Sequence, residues 1–420
     1  MKWSPEQDRA LKAISTWASN PEGPQVFKLF GYAGTGKTTL AKTIAEGIDG
    51  DVLFGAYTGK AAHVLRSKGC PNADTIHAMI YHSRDQSAMR LKQLELALLE
   101  YKQQVLSETA LEDHDSIPWD MHPEFDKLMR EIDAERQNCS KPLFNLNFES
   151  SVKFAKLVII DECSMVDGSM AEDLLWFGTK VLVLGDPGQL PPVMGTGYFI
   201  EGEPNFMLQE IHRQAKDNPI IAMASHVREG GKLLKGEWGK DTVIDVDDLK
   251  DYPELMTSAD QILVGRNATR RDYNKRMRQI LGRSQDWNDW VPVKDDKLVC
   301  LRNNKEHGLL NGAQWKVNHV LSANNDRVTM QVESLDNRAL LDCEAHSHHF
   351  LSKTEAMPWW ERKEAEEFDY GYVMTTHKAQ GSQWDHVVVF DESFVFRDDR
   401  KKWLYTAITR AAKELHVIKM

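Results

Sequence analysis

The residues best equipped for chemistry lie near the start of the chain. Gly31, Tyr32, Ala33, Gly34, Thr35, Gly36, Lys37 and Thr38 fit the spacing G-x-x-x-x-G-K-S/T. Glycines at these positions let consecutive backbone N–H groups close around phosphate oxygens, and a helix beginning at the lysine adds its positive end. Lys37 can reach the β- and γ-phosphates, and the Thr38 hydroxyl is a hard oxygen ligand for Mg²⁺. The eight residues follow the apolar run Val26 to Phe30 and precede a helix-like run from Thr39 to Ile48, the context such a loop needs. A chance glycine-rich turn is the competing reading, and it leaves that context unexplained. The pattern implies binding and hydrolysis of a nucleoside triphosphate.

Hydrolysis needs an acidic partner at the end of a neighbouring strand, and two look-alikes offer one. Leu157-Val-Ile-Ile is followed by Asp161-Glu162, and Val387-Val-Val-Phe by Asp391-Glu392. The first is preferred because a third strand with its own polar ending, Gly185 to Gln189, follows at short range. Asp161 would then hold Mg²⁺ and Glu162 would polarise the attacking water. Asp391-Glu392 is read as an exposed strand end.

These groups need rigid elements behind them. Val26–Phe30, Val52–Phe54, Leu157–Ile160, Val181–Leu184, Ile262–Val264 and Val387–Phe390 are short, apolar and rich in β-branched residues. Such runs predict parallel strands buried on both faces and covered by helices, with ligands beyond the strand ends. Two stretches break the pattern. Between 83 and 146, Leu91, Leu94, Leu98, Tyr101 and Val105 recur at helical spacing, and an acidic section with Pro118 and Pro123 follows. Between 297 and 352, the turn signals Asn311-Gly312 and Asn324-Asn325-Asp326 predict a small antiparallel β insert.

The ordered set of motifs resembles the superfamily 1 helicases, and within them the RecD/Dda branch. The resemblance covers most of the chain outside the two insertions. Ser4 to Gln7 resembles the adenine-reading glutamine motif, with Gln7 as reader. Tyr57 to Ala62 and Thr75 to His77 resemble the motifs that line the nucleic-acid channel, which implies Thr58, Lys60 and His77 as contacts. Gly185 to Pro192 resembles the motif in which Gln189 senses the γ-phosphate. Leu208 to Gln214 contains Arg213 and Leu404 to Arg410 contains Arg410, the two arginine-finger candidates; a planar guanidinium suits two phosphate oxygens. Gly371 to Ser382 resembles a further channel motif with Thr376 and His377, and Gln383 would approach the ribose. With the phosphate loop and Thr39, these residues form the implied ATP and Mg²⁺ site.

The resemblance implies an α/β fold of two RecA-like parallel-sheet P-loop domains, with a helical insertion in the first and a small SH3-like β insertion in the second. The expected division is 1–82 and 147–200 for the first motor domain, interrupted by 83–146, then 201–296 and 367–420 for the second, interrupted by 297–366. It implies an ATP-driven DNA helicase working 5′-to-3′, acting as a monomer on single-stranded and tailed duplex DNA, with single-stranded-DNA-binding or replication proteins as partners. A nucleic-acid-stimulated ATPase that remodels complexes or prefers RNA is the second reading, and a non-motor P-loop protein the third.

Bulk properties are compatible with this. The 420 residues exceed one ordinary domain, and 41% hydrophobic with 27% charged residues describes a soluble globular chain. No apolar run is long enough for a membrane span, and the first residues carry no hydrophobic signal core. The five cysteines are scattered, which fits a reducing cytosol, and the compact motif series suits a phage or bacterial protein. The net charge of −11 is only a weak objection to nucleic acid, because phosphate contacts need one basic channel rather than a basic whole. Cys343, His346, His348 and His349 are spaced too tightly for an ordinary zinc site, and Trp359-Trp360 could stack bases or pack.

Overall fold

The computed structural model describes residues 3–70, 72–83, 94–99, 101, 102, 105, 122–140, 144–191, 197–210, 218–284, 289–304, 306–353, 357 and 361–420, with backbone only at 82, 83, 126, 134–140, 144, 145 and 363. The chain divides into two compact units, one of residues 1–75 with 155–420 and one of residues 76–154. Arg213, Leu91, Pro118, Trp359 and Trp360 lie outside the described residues.

The larger unit holds two parallel sheets. In the first, β1 (Val26–Gly31), β2 (Val52–Ala56), β3 (Asp74–Thr75), β6 (Leu157–Asp161), β7 (Val181–Gly185) and β8 (Phe206–Leu208) run in the order β3-β2-β6-β7-β1-β8. All of its pairings are parallel, with Val26 opposite Val181 and Val52 opposite Leu157. Every residue of β7 is buried, as a strand covered on both faces requires. Helices α1 (Pro5–Ser19), α2 (Lys37–Glu46) and α3 (Gly59–Ser67) supply Ala10, Ile14, Leu40, Ala41, Ala62 and Leu65 to its core.

The second sheet runs β17 (Val373–Thr375), β11 (Gln261–Val264), β18 (Trp384–Asp391), β19 (Ala411–Lys419), β10 (Asp241–Asp245) and β9 (Gly236–Trp238), parallel except at β9. Helices Pro219–Arg228 and Arg400–Ile408 pack on one face around Met223, Trp403 and Tyr405. The expected strands all form, four in the first sheet and two in the second.

The β insert is a five-stranded antiparallel sheet, ordered β15 (Leu340–His346), β14 (Arg327–Ser334), β13 (Gln314–Ala323), β12 (Lys297–Cys300) and β16 (Phe368–Tyr370). The turn at Asn324 joins β13 to β14, its side chain accepting from the N–H groups of Asp326 and Arg327. Strict alternation along β14 puts Val328, Met330 and Val332 inside. In the smaller unit, β4 (Tyr81–Ser83) pairs antiparallel with β5 (Phe144–Leu146), and helix Pro123–Ser140 lies between them in sequence. Residues 94–99, 101, 102 and 105 are helical, as the spacing predicts.

Three expectations are corrected. Phe206–Leu208 pairs with β1, so the first sheet extends past the expected boundary at 200. Phe368–Tyr370 pairs with β12, so the antiparallel sheet extends past 366. Glu392 is not exposed. It is fully buried and its carboxylate accepts from the N–H groups of Gly265 (2.8 Å) and Arg266 (2.9 Å), from Arg266 Nε (2.7 Å) and from the Thr269 hydroxyl (2.7 Å). Burial works to raise its pKa, but these bonds outweigh it and hold the carboxyl below the usual range.

Glu392→Ala should therefore lower the unfolding free energy by about 2–4 kcal/mol near neutral pH, measured by denaturant titration. Because the folded pKa is depressed, that contribution is present above the ordinary carboxylate range and fades as pH falls through the folded value. A parent–variant difference that stays constant into acid would refute this role.

Candidate nucleotide site between the parallel sheets

The phosphate loop connects β1 to α2 and is built by local constraints. Gly34 and Gly36 hold φ of 81° and 83°, the left-handed region that glycine tolerates. Gly31 has no space for a side chain, since a Cβ there would stand 2.7 Å from Thr35 Oγ1 and 2.8 Å from Leu208 Cβ. The buried Thr35 hydroxyl donates back to the Tyr32 carbonyl at 2.8 Å. Lys37 Nζ lies within the loop's curve, 2.6 Å from the Gly31 carbonyl and 3.1 Å from that of Tyr32.

A cavity of about 200 Å³ opens in front of this loop. Ala33, Gly34, Lys37 and Thr38 line it with Asp161, Glu162, Asp186 and Gln189 from the first sheet, and Gln383 and Arg410 from the second. The Thr38 hydroxyl donates to Asp161 Oδ2 at 3.1 Å. Burial, then the neighbouring Glu162 charge, raises the Asp161 pKa, while Lys37 works against the rise. A hydroxyl and a desolvated carboxylate side by side are a donor set that fits a hard divalent cation. Glu162 adopts φ 52° and ψ 45°, a left-handed conformation that costs a non-glycine residue about 1–2 kcal/mol. Such strain concentrates at functional sites.

The second sheet contributes across the cleft. Arg410 is 5% exposed, and its guanidinium donates to the carbonyls of Thr406 and Ser382. Nη1 reaches 3.9 Å from Glu162 Oε1. Gln189 is 5% exposed, and among the described residues its Oε1 has no hydrogen-bond partner. A buried unsatisfied amide oxygen costs about 1–3 kcal/mol, so it stands ready for a donor in the cavity.

Other expected site residues sit differently. Gln7 is buried behind the loop, where Oε1 accepts from the Ser4 N–H and Nε2 donates to the Thr35 carbonyl at 3.1 Å. Thr39 is exposed on the first turn of α2. Thr58 caps α3 by accepting from the Ala61 N–H. Lys60 pairs with Asp336 of the β insert. His77 belongs to the smaller unit, where its ring packs on Tyr81. Thr376, expected as a nucleic-acid contact, is fully buried with its N–H on the Val264 carbonyl. His377 is half-buried against Phe396, and burial lowers its pKa. In the β insert, His346 Nδ1 faces Arg327 and His349 Nε2 faces Glu367, so these two histidines turn to different partners.

The AAA domain family matches residues 2–242. The chain belongs to that family. A UvrD-like helicase C-terminal domain matches residues 370–418, and the two matches together place the chain among the superfamily 1 helicases. The ATP-dependent RecD2 DNA helicase of Deinococcus radiodurans is 26% identical over 93% of this chain and 46% of its own length. The conjugal transfer protein TraA of Rhizobium radiobacter is 25% identical over 62% of this chain and 24% of its own length. The chain thus spans less than half the length of these relatives. The Pif1 helicase from Candida albicans has a similar fold, with a TM-score of 0.52 at 17% identity, covering 100% of this chain and 94% of that one. Bacteroides Pif1 bound to ssDNA gives 0.50 at 16%, covering 99% and 92%.

The sequence reading missed the residues that join the two sheets. The Tyr405 hydroxyl accepts from the Ala33 N–H at 3.0 Å and donates to Asp186 Oδ2 at 2.7 Å. Leu190 is held at both ends of its backbone, its N–H on the Thr406 hydroxyl and its carbonyl on Gln380 Nε2, each at 2.9 Å. The Arg228 guanidinium stacks 3.7 Å from the Tyr32 ring centroid. Within the first sheet's own side, Glu6 accepts from the N–H groups of Gln209 and Glu210, just after β8. Tyr405 lies within the motif that carries Arg410, the one signal that pointed to it.

Tyr405→Phe removes both bonds of that hydroxyl without changing shape. Turnover of nucleotide should fall about tenfold, equivalent to one hydrogen bond of about 1.5 kcal/mol, while binding of a fluorescent nucleotide changes little. Unchanged turnover would show that the bridge has no part in the reaction.

Proposed function

We propose that the chain is an ATP-driven motor on single-stranded DNA, moving 5′-to-3′ and unwinding tailed duplexes. The observation that carries this reading is the cavity itself, in which phosphate loop, acidic pair, unpartnered Gln189 and Arg410 come from two separate sheets. Thr38 and Asp161 would hold Mg²⁺, which when bound offsets phosphate charge. Lys37 pairs with the β- and γ-phosphates, and Glu162 orients and polarises the attacking water. Gln189 donates its amide N–H to the γ-phosphate or accepts from that water. Arg410, joined by Arg213, stabilises the charge that develops as the bond breaks, a role worth about 10³–10⁵ in rate. These arginine bonds form only when the cleft closes, so ATP binding favours closure and hydrolysis relaxes it. Gln7 braces the loop from behind, and Gln383 faces the ribose side.

DNA would run across the N-terminus of α3, with Thr58 and Lys60 on one side and His377 on the other, and by motif position His77 would be a further contact. Such contacts to phosphate carry no sequence preference. The likeness to RecD2, an ATP-dependent DNA helicase by name, supports DNA over RNA. The protein would act as a monomer in the cytosol of a phage host or bacterium, beside single-stranded-DNA-binding or replication proteins. Among the described residues no helix is long and apolar enough to cross a membrane.

Lys37→Ala is expected to abolish hydrolysis with the fold intact by circular dichroism, and Glu162→Gln to retain ATP binding while stalling turnover. Strand displacement on 5′-tailed and 3′-tailed duplexes tests direction: activity on the 3′ tail alone reverses the assignment, and DNA-stimulated ATPase without displacement favours a remodelling enzyme.

Asp336 occupies Lys60 as a DNA phosphate would. Asp336→Asn should tighten single-stranded DNA binding and steepen its salt dependence by about 0.7 in log–log slope, the value for one more phosphate contact. An unchanged slope in fluorescence-anisotropy titrations would remove Lys60 from the channel.

A further inference from the structure

Three side chains on the second parallel sheet take no part in the nucleotide chemistry. His386 lies early on β18, and Glu414 and His416 lie on the adjacent β19. The register sets His386 opposite Glu414 and Val388 opposite His416, so all three project from one face of the sheet. None of them lines the nucleotide cavity. Their ligand-type atoms all fall within 4.8 Å of one another.

The hydrogen bonds around His386 decide which of its nitrogens carries the lone pair. His386 Nδ1 is 3.1 Å from the Ser258 carbonyl, which can only accept, so Nδ1 holds the proton. Nε2 is then an acceptor, and it is shielded from solvent with no hydrogen-bond partner among the described residues. His416 Nδ1 is 2.7 Å from the Thr242 hydroxyl, and its Nε2 donates to Glu414 Oε1 at 2.9 Å, so a metal ion at Nε2 would displace that proton and leave Nδ1–H to donate to Thr242. An outer partner on one ring nitrogen with the other nitrogen turned inward is the arrangement that metal-ligating histidines show. Asp241, whose Oδ2 is also buried without a partner, adds negative charge felt by His416.

An ordinary His416–Glu414 pair explains two of these residues. It does not explain why the second ring, His386, aims a dry lone pair at the same point, because an unmet buried acceptor costs about 1–3 kcal/mol. A cation there would meet it. Ligand atoms around one zinc-sized ion stand about 3–4 Å apart, given bonds near 2.0–2.2 Å. The 2.9 Å pair already meets that spacing, and rotation about the side-chain torsions of His386 and the partly exposed Glu414 closes the remainder.

We propose that His386, Glu414 and His416 form a site for one divalent transition-metal ion of the zinc class, with solvent completing the coordination. Two imidazoles and one carboxylate suit Zn²⁺, Co²⁺ or Fe²⁺ and disfavour Mg²⁺, which prefers oxygen ligands throughout. The ion would tie β18 to β19 and, through Thr242 and Ser258, to β10 and the turn before β11.

The test uses the full chain, stripped with a chelator and titrated with CoCl₂ in the absence of nucleotide. One equivalent should bind with a visible ligand-field absorption band, be displaced by ZnCl₂ but not by MgCl₂, and raise the thermal midpoint. Lys37→Ala should bind Co²⁺ as the parent does. His386→Gln and Glu414→Gln, both at partly exposed positions, should lose the band, and Thr242→Val should weaken binding about 10–100-fold. The proposal is overturned if no stoichiometric band forms, if the band survives in His386→Gln and Glu414→Gln, or if Mg²⁺ displaces Co²⁺ equally well.

Discussion

The phosphate loop is held from two sides, and the second side belongs to the other sheet. Tyr405 offers one hydroxyl, and it both accepts from the loop at Ala33 and donates to Asp186 at the end of β7. Burial pushes the Tyr405 phenol pKa well up, so the phenol keeps its proton and donates it to Asp186. Everything else in the cavity is arranged around that fixed point. Arg410 follows one turn later on the same run of chain, and its approach to Glu162 depends on where the Tyr405 helix docks.

Two strand ends with the same sequence pattern receive different work from their surroundings. At Asp161-Glu162 the carboxylates face a cavity with a lysine and a threonine hydroxyl, and burial raises the first of them. At Asp391-Glu392 the glutamate turns inward to backbone N–H groups and the Arg266 guanidinium, which hold its pKa down and keep it charged. The first carboxylate is left wanting a cation and the second is already satisfied. Local sequence could not distinguish them, because the difference lies in partners more than a hundred residues away.

The same reasoning explains what the sequence made legible. Glycine spacing, apolar runs and the turn at Asn324 are local signals, and the loop, the six strands and the β13–β14 hairpin all follow from them. Phe206–Leu208 and Phe368–Tyr370 are three-residue strands, too short for any periodicity, and their sheet membership depends on the neighbour that accepts them. Thr376 resembled a channel residue by motif position, yet the Val264 carbonyl claims its N–H and the core encloses it. The bridges through Tyr405, Leu190 and Glu6 join residues between 190 and 372 positions apart, and no spacing rule reaches that far.

Leu190 carries a mechanical consequence. Its N–H and its carbonyl are both engaged by side chains of the second sheet's domain, while its neighbour Gln189 lines the nucleotide cavity on the first. A peptide gripped at both ends cannot slide without breaking two buried bonds. Relative motion that keeps them must be a rotation with its pivot at this residue, so the cleft would work as a lever with a short arm at Gln189 and a long arm at the far rim. A small tilt at the nucleotide would then be magnified with distance from the pivot.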